Sequence, residues 1–190
     1  MAFKPGILFT LFLNISGLII SAAGQEKQTV LLFDSPGKDQ VVLSRTENGF
    51  RAVCQTGDIL ADSRDEAGGS WISILSGTGG YSMLPGQPEL PLTFRAVESG
   101  ADWNWKILLQ HADSIDVRLA DYLPGYVFPY QSSPVKGKDS FCIDTALYQS
   151  DLWYGGPLVS IRHDGVLRGV QVGSFEYRPV KYNPGRGLLR

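Results

Sequence analysis

The chain has 190 residues, and its 17 Lys and Arg against 19 Asp and Glu leave a formal net charge of −2. The basic residues are scattered, so no electrostatic footprint for phosphates is present and nucleic acid is not an expected partner. The two cysteines and two histidines lack the close paired spacing of a structural zinc site, so no metal or other cofactor is expected.

The N-terminus has the pattern of a secretory signal. Lys4 supplies a positive start, and residues 7–23 are almost wholly apolar. Small residues follow at Ser21-Ala22-Ala23-Gly24, which suits cleavage and defines a signal peptide over 1–24. Membrane contact is expected only through this segment during export, because no later stretch is long and apolar enough to span a bilayer.

Residues 25–190 read as a single all-β domain. Strand-like runs fall at Thr29–Phe33, Gln40–Leu43, Phe50–Cys54, Trp71–Leu75 and Leu92–Val97. Trp103–Ile107 and Ser114–Leu119 alternate apolar and polar residues, as expected of strands with one face in a core. Leu158–Arg162 leads through His163-Asp164-Gly165 to Val166–Val172, and Asp164-Gly165 is a hairpin signal. The apolar parity changes near Gly173, a place for a bulge or bend. Asn183-Pro184-Gly185 before Leu188-Leu189 predicts a last turn and strand. The polar Asp62–Ser70 stretch, the Gly-rich Ser76–Gly80 stretch and Tyr122–Ser140 read as loops. Short strands with turns between them and no alternating helices predict an antiparallel β-sandwich.

Cys54 and Cys142 are the only cysteines. In an exported chain they are able to form one disulfide, and two separate thiols fit the sequence equally. A nucleophilic pairing with His111 or His163 has no local support, because neither cysteine sits at an elbow or helix start that would lower its pKa. The tryptophans, Trp71, Trp103, Trp105 and Trp153, allow an alternative reading as a glycan-binding or adhesion module, although at alternating strand positions such residues more often fill a core.

The last hundred residues carry a more specific pattern. It begins with Gly86-Gln-Pro88-Glu-Leu90-Pro91. It continues with Tyr148, then Asp151-Leu-Trp153-Tyr154 and Pro157, then Arg168-Gly169, then Pro179 and Tyr182-Asn183-Pro184. In order and spacing these pieces resemble the propeptide of the gingipain-type cysteine peptidases, family C25, from about Leu84 to Arg190. Lys181 stands where that family most often has glutamine. Residues 25–80 match only in strand character.

The resemblance implies a β-sandwich without catalytic residues of its own, acting as folding aid and latency inhibitor of a caspase-like peptidase domain encoded downstream of Arg190. It implies export through the periplasm of a Gram-negative bacterium to the surface or medium. It also implies a loop that places a basic residue in the peptidase's specificity pocket. Residues 131–138 lie in the expected region, with Lys136 the first candidate, since Pro134 stiffens its approach and Gly137 allows close passage, and Lys138 the second.

Overall fold

The computed structural model describes residues 27–35, 37–47, 49–77, 79–99, 106–108, 112–132 and 141–190. The expected signal segment 1–24, Trp103, Trp105, His111, Lys136 and Lys138 lie outside the described residues. Strands dominate, in chain order β1 (Thr29–Phe33), β2 (Gln40–Thr46), β3 (Gly49–Gln55), β4 (Ile59–Glu66), β5 (Gly69–Ser76), β6 (Gly80–Tyr81), β7 (Pro91–Ser99), β8 (Val117–Arg118) and β9 (Tyr126–Val127), followed by one turn of helix, α1 (Thr145–Tyr148), and then by β10 (Val159–Leu167), β11 (Val170–Tyr177), β12 (Tyr182–Asn183) and β13 (Leu188–Leu189).

They form sheets of order β1-β4-β5-β9, β10-β11-β7-β6 and β12-β13-β8, with β2 and β3 as a separate ribbon. Pairing is antiparallel except between β5 and β9, where Trp71 lies beside Tyr126 and Ile72 beside Val127. Apolar side chains collect in two places. The larger core joins Leu32, Ile59, Ala61, Trp71, Ile72 and Ile74 of the first sheet to Leu90, Leu119, Leu123, Val127, Phe128, Tyr148, Val180, Tyr182 and Leu189. The smaller one lies between the second sheet and the ribbon. There Val97, Phe175 and Tyr177 are covered by Val41, Leu43, Phe50, Ala52 and Cys54. The odd residues of β11 point inward throughout, because residues two apart share a sheet face.

Three expectations from the sequence are corrected. Asp62–Ser70 is not a loop but the facing arms of β4 and β5, paired from Ile59↔Ser76 to Glu66↔Gly69. Its polarity misleads because Asp62 is buried with partners: Lys27 Nζ lies 2.5 Å from one carboxylate oxygen, and Thr29 donates to the other at 2.6 Å. The β10–β11 hairpin does not turn at Asp164-Gly165. It turns at Arg168-Gly169, both with positive φ (51° and 82°), the backbone of a tight primed turn. Asp164 is instead a bulge, where the register slips between His163↔Gly173 and Gly165↔Val172. Arg162 and Ser174 both donate to its carboxylate. β11 itself pairs with β7 without interruption, so the apolar parity change near Gly173 is no bend: Val170 and Val172 lie on its outer face, and the extra residue is in β10. Finally, Ser114–Leu119 is mostly not strand. Only Val117 and Arg118 pair, because β13 offers two residues, and Ile115 is 52% exposed while Leu119 is buried in the turn that follows.

Candidate functional site

The Gly86–Pro91 segment is pinned along its length. Gly86 N–H donates to the Tyr130 carbonyl, Tyr130 N–H to Gln87 and Glu89 N–H to Phe128, at 2.8–2.9 Å. Ser82 holds the other side, its hydroxyl donating to the Pro88 carbonyl and accepting from Leu90 N–H, each at 2.9 Å. Pro88 sits opposite Pro129 in an isolated bridge, and Pro91 opens β7 at Tyr81. A proline lacks the N–H that an interior strand position would demand, so these places tolerate it. Pro88, Leu90 and Pro91 are buried.

The second group of motif residues closes the same core from the other side. Asp144 caps α1 by accepting from Leu147 N–H at 3.1 Å, which presents Tyr148 inward. The Tyr148 hydroxyl donates to the Val127 carbonyl at 2.6 Å, and its ring meets Trp71 edge-on. Burial pushes that hydroxyl well above the ordinary tyrosine range. Tyr154 and Tyr182 exchange both backbone hydrogen bonds, at 2.7 and 2.9 Å. Tyr182 is fully buried, and burial pushes its hydroxyl up to about 12. Leu90 shares the larger core with Tyr148 and Tyr182, and Tyr154 packs against it, so the two motif groups meet there.

Asn183, 1% exposed, organises the final turn. Its amide donates to Asp151 at 2.9 Å and its oxygen accepts from Arg186 N–H at 3.0 Å. The Arg186 guanidinium then grips Asp151 through two bonds, at 2.6 and 2.9 Å. The hydrogen bonds from Arg186 and Asn183 hold the Asp151 carboxyl below the usual range. Pro184 is buried, Pro179 is half-buried and Pro157 is exposed. Trp153 lies 4.5 Å under the Arg190 guanidinium, which Asp116 binds with both oxygens. Arg168 and Gly169 stand apart, exposed at the β10–β11 tip.

Lys136 and Lys138 are not described, but the residues bounding their segment are. Gln131 Nε2 donates to the Cys142 carbonyl and Cys142 N–H donates to Gln131 Oε1, both at 2.8 Å. No sequence signal marked Gln131, because its role depends on which backbone lies opposite.

Cys54 and Cys142 do not pair; both thiols are free. Cys54 is half-buried in the smaller core, where burial pushes its thiol up, whereas Cys142 is exposed beside Gly86. His163 is exposed, with Nδ1 3.2 Å from the Val172 carbonyl. Among the described residues no group of three or more His, Cys, Asp or Glu could hold a metal ion. Trp71 is in the larger core and Trp153 is covered by Arg190, so neither offers the bare ring face a glycan platform needs.

Comparison with solved structures places this fold. The chain superposes on one from a study of the zymogenic latency of gingipain K from Porphyromonas gingivalis, with a TM-score of 0.73 and 18% identity, over 86% of this chain and 92% of that one. It also superposes on a chain from the complex of the Porphyromonas gingivalis RgpB pro- and mature domains, with a TM-score of 0.67 and 17% identity, over 80% and 78% of the two chains. No family model and no curated protein matches the sequence. The domain is thus gingipain-propeptide-like in fold.

Proposed function

We propose that this chain is the propeptide part of an exported C25-type cysteine endopeptidase, folding as a β-sandwich that assists the folding of a downstream caspase-like domain and keeps it latent. The observation that carries the reading is the fold likeness to the gingipain K chain over 86% of this sequence. The motif residues add to it. Leu90, Tyr148 and Tyr182 share the larger core with Tyr154 packed against it, and Gly86, Pro88, Pro91, Asn183 and Pro184 are buried as well.

On this reading the chain contributes no catalytic group. Residues 1–24 direct export and are removed, and residues 25–190 act outside the cytoplasm at or beyond the cell surface. Lys136, with Lys138 second, occupies the peptidase's specificity pocket as a poorly cleaved substrate would. A lysine ammonium desolvated there must be paired by acidic groups of the pocket, and its rigid presentation limits the entropy lost on binding.

The test is inhibition of a C25 peptidase by residues 25–190 supplied as a separate polypeptide. Stoichiometric inhibition that Lys136→Ala weakens is the expected result. Absence of any inhibition, and of any gain in refolding yield of the peptidase, would sink the reading.

A further inference from the structure

The Arg168-Gly169 pair belongs to the pattern that carries the family resemblance, yet it lies outside both cores. It forms the tip of the β10–β11 hairpin, and that hairpin outruns its sheet. Pairing of β11 with β7 ends at Gln171↔Ser99, so Leu167 to Val170 project past the third strand. The hairpin is braced below the tip, because Arg162 and Ser174, one from each strand, both donate to the Asp164 carboxylate at the bulge.

The side chains at the tip do not suit a turn left in water. Leu167 and Val170 are paired across the ladder and share one face, and Val166 lies on the other. They are 65%, 42% and 61% exposed. Between them Arg168 holds φ 51°, a backbone that Asn or Gly adopts more readily. Strain alone does not distinguish this tip, since Ala67 has φ 52° at the end of the β4–β5 hairpin. There, however, Glu66 and Gly69 flank the turn, and Trp71 Nε1 donates to the Glu66 carbonyl at 3.0 Å, tying the turn to the core. Nothing comparable uses Arg168. Arg162 has Asp164 at 2.8 Å and Arg178 has Glu176 at 2.5 Å, but among the described residues no carboxylate pairs with Arg168.

We infer that this tip is a contact surface for the peptidase domain. It fits a patch in which one acidic side chain is set among apolar ones. Leu167 and Val170 cover the apolar part, and the Arg168 guanidinium takes the carboxylate through its fork of N–H donors. The inference rests on the propeptide reading above. Apolar neighbours keep water from the ion pair, and a turn already formed loses little entropy on binding. The backbone at Arg168 and Gly169 is a tight turn and not extended, so the arginine acts as a surface anchor and not as a substrate-like residue.

Residues 25–190 are compared as wild type, Arg168→Asn, Leu167→Thr and Ala67→Gly, the last easing the same strain at the other tip. Four quantities are read: affinity for a C25 peptidase whose catalytic cysteine is blocked, inhibition of the active peptidase, melting temperature and sedimentation. Arg168→Asn and Leu167→Thr each weaken binding and inhibition about tenfold without lowering the melting temperature, while Ala67→Gly alters neither binding nor inhibition. Full affinity in either tip variant, or equal weakening by Ala67→Gly, overturns the inference and leaves the propeptide reading standing. A wild type that binds without inhibiting overturns latency, and weaker binding by both tip variants still upholds the contact. A wild type that neither binds nor inhibits overturns both. A self-associated wild type that Leu167→Thr makes monomeric assigns the tip to a second copy of the chain and also overturns the inference.

Discussion

Tyr148 donates its hydroxyl to the Val127 carbonyl at 2.6 Å, and by that bond a single turn of helix holds a strand of only two residues in the first sheet. The adjoining backbone bond, Phe128 N–H to Ile72 at 2.8 Å, continues the attachment. Tyr148→Phe keeps the ring among Trp71 and Tyr126 but leaves a buried carbonyl short of a partner. It should cost about 1–3 kcal/mol, read as a lower urea midpoint at unchanged slope.

Asn183 needs its amide nitrogen as much as its oxygen. Asn183→Asp retains the acceptor for Arg186 N–H but sets a second carboxylate against Asp151 in a buried place. The variant should lose about 2–4 kcal/mol near neutral pH, more than Asn183→Ala, since it leaves a buried charge uncompensated. The loss should shrink as acid protonates the new carboxyl and restores a donor. Chemical denaturation of wild type and both variants at neutral and mildly acidic pH measures this.

Asp62 should make the fold acid-sensitive. Burial alone would raise its carboxyl, but hydrogen bonds from Lys27 and Thr29 outweigh that and leave it below the ordinary value. A carboxyl depressed in the folded state contributes stability that is fully present above its unfolded pKa, about 3.9, and that is lost as pH falls through the folded value. The stability gap between wild type and Asp62→Asn should thus be constant from neutral pH down to about pH 5 and narrow below pH 4. A gap that stayed level through the acid range would contradict the assignment. Asp116, bonded to Arg190, and Asp164, bonded to Ser174 and Arg162, are shifted in the same direction.

Two hairpins turn on residues poorly suited to the backbone they adopt. Ala67 and Arg168 have φ of 52° and 51° at the first turn position, each followed by glycine. Gly there removes the clash of Cβ with the backbone, and Asn offsets it by local hydrogen bonding of its short side chain, so Ala67→Gly and Arg168→Asn should each stabilise by about 0.5–1 kcal/mol. Thermal melts should show the two gains adding, because the turns belong to separate sheets. If Arg168→Asn stabilises the free domain yet weakens inhibition of a peptidase, the arginine is kept for contact rather than for folding.

Much of the fold could be read along the chain. β1, β2, β3, β5 and β7 lie where alternating or β-branched runs place them, and so do the last turn and strand. These signals are local, because a strand face repeats every second residue whatever lies opposite. The misreadings came where a partner far along the chain decides the outcome. Asp62 looks like loop until Lys27 and Thr29 stand beside it. Asp164-Gly165 looks like a turn until the β11 register shows it as an extra residue.

The motif residues show the same division. Their order and spacing, from Gly86 to Pro184, carried the family resemblance by themselves, and with it the expectation of a chain without catalytic groups. Only the tertiary structure decided that Leu90 and Tyr148 share one core, that Tyr154 pairs with Tyr182, that Cys54 and Cys142 are both free, and that Gln131 bonds Cys142. Those contacts join residues eleven to tens of positions apart. A hydrogen bond or a packed ring acts over a few ångströms, so each exists only once the sheets have brought distant chain together.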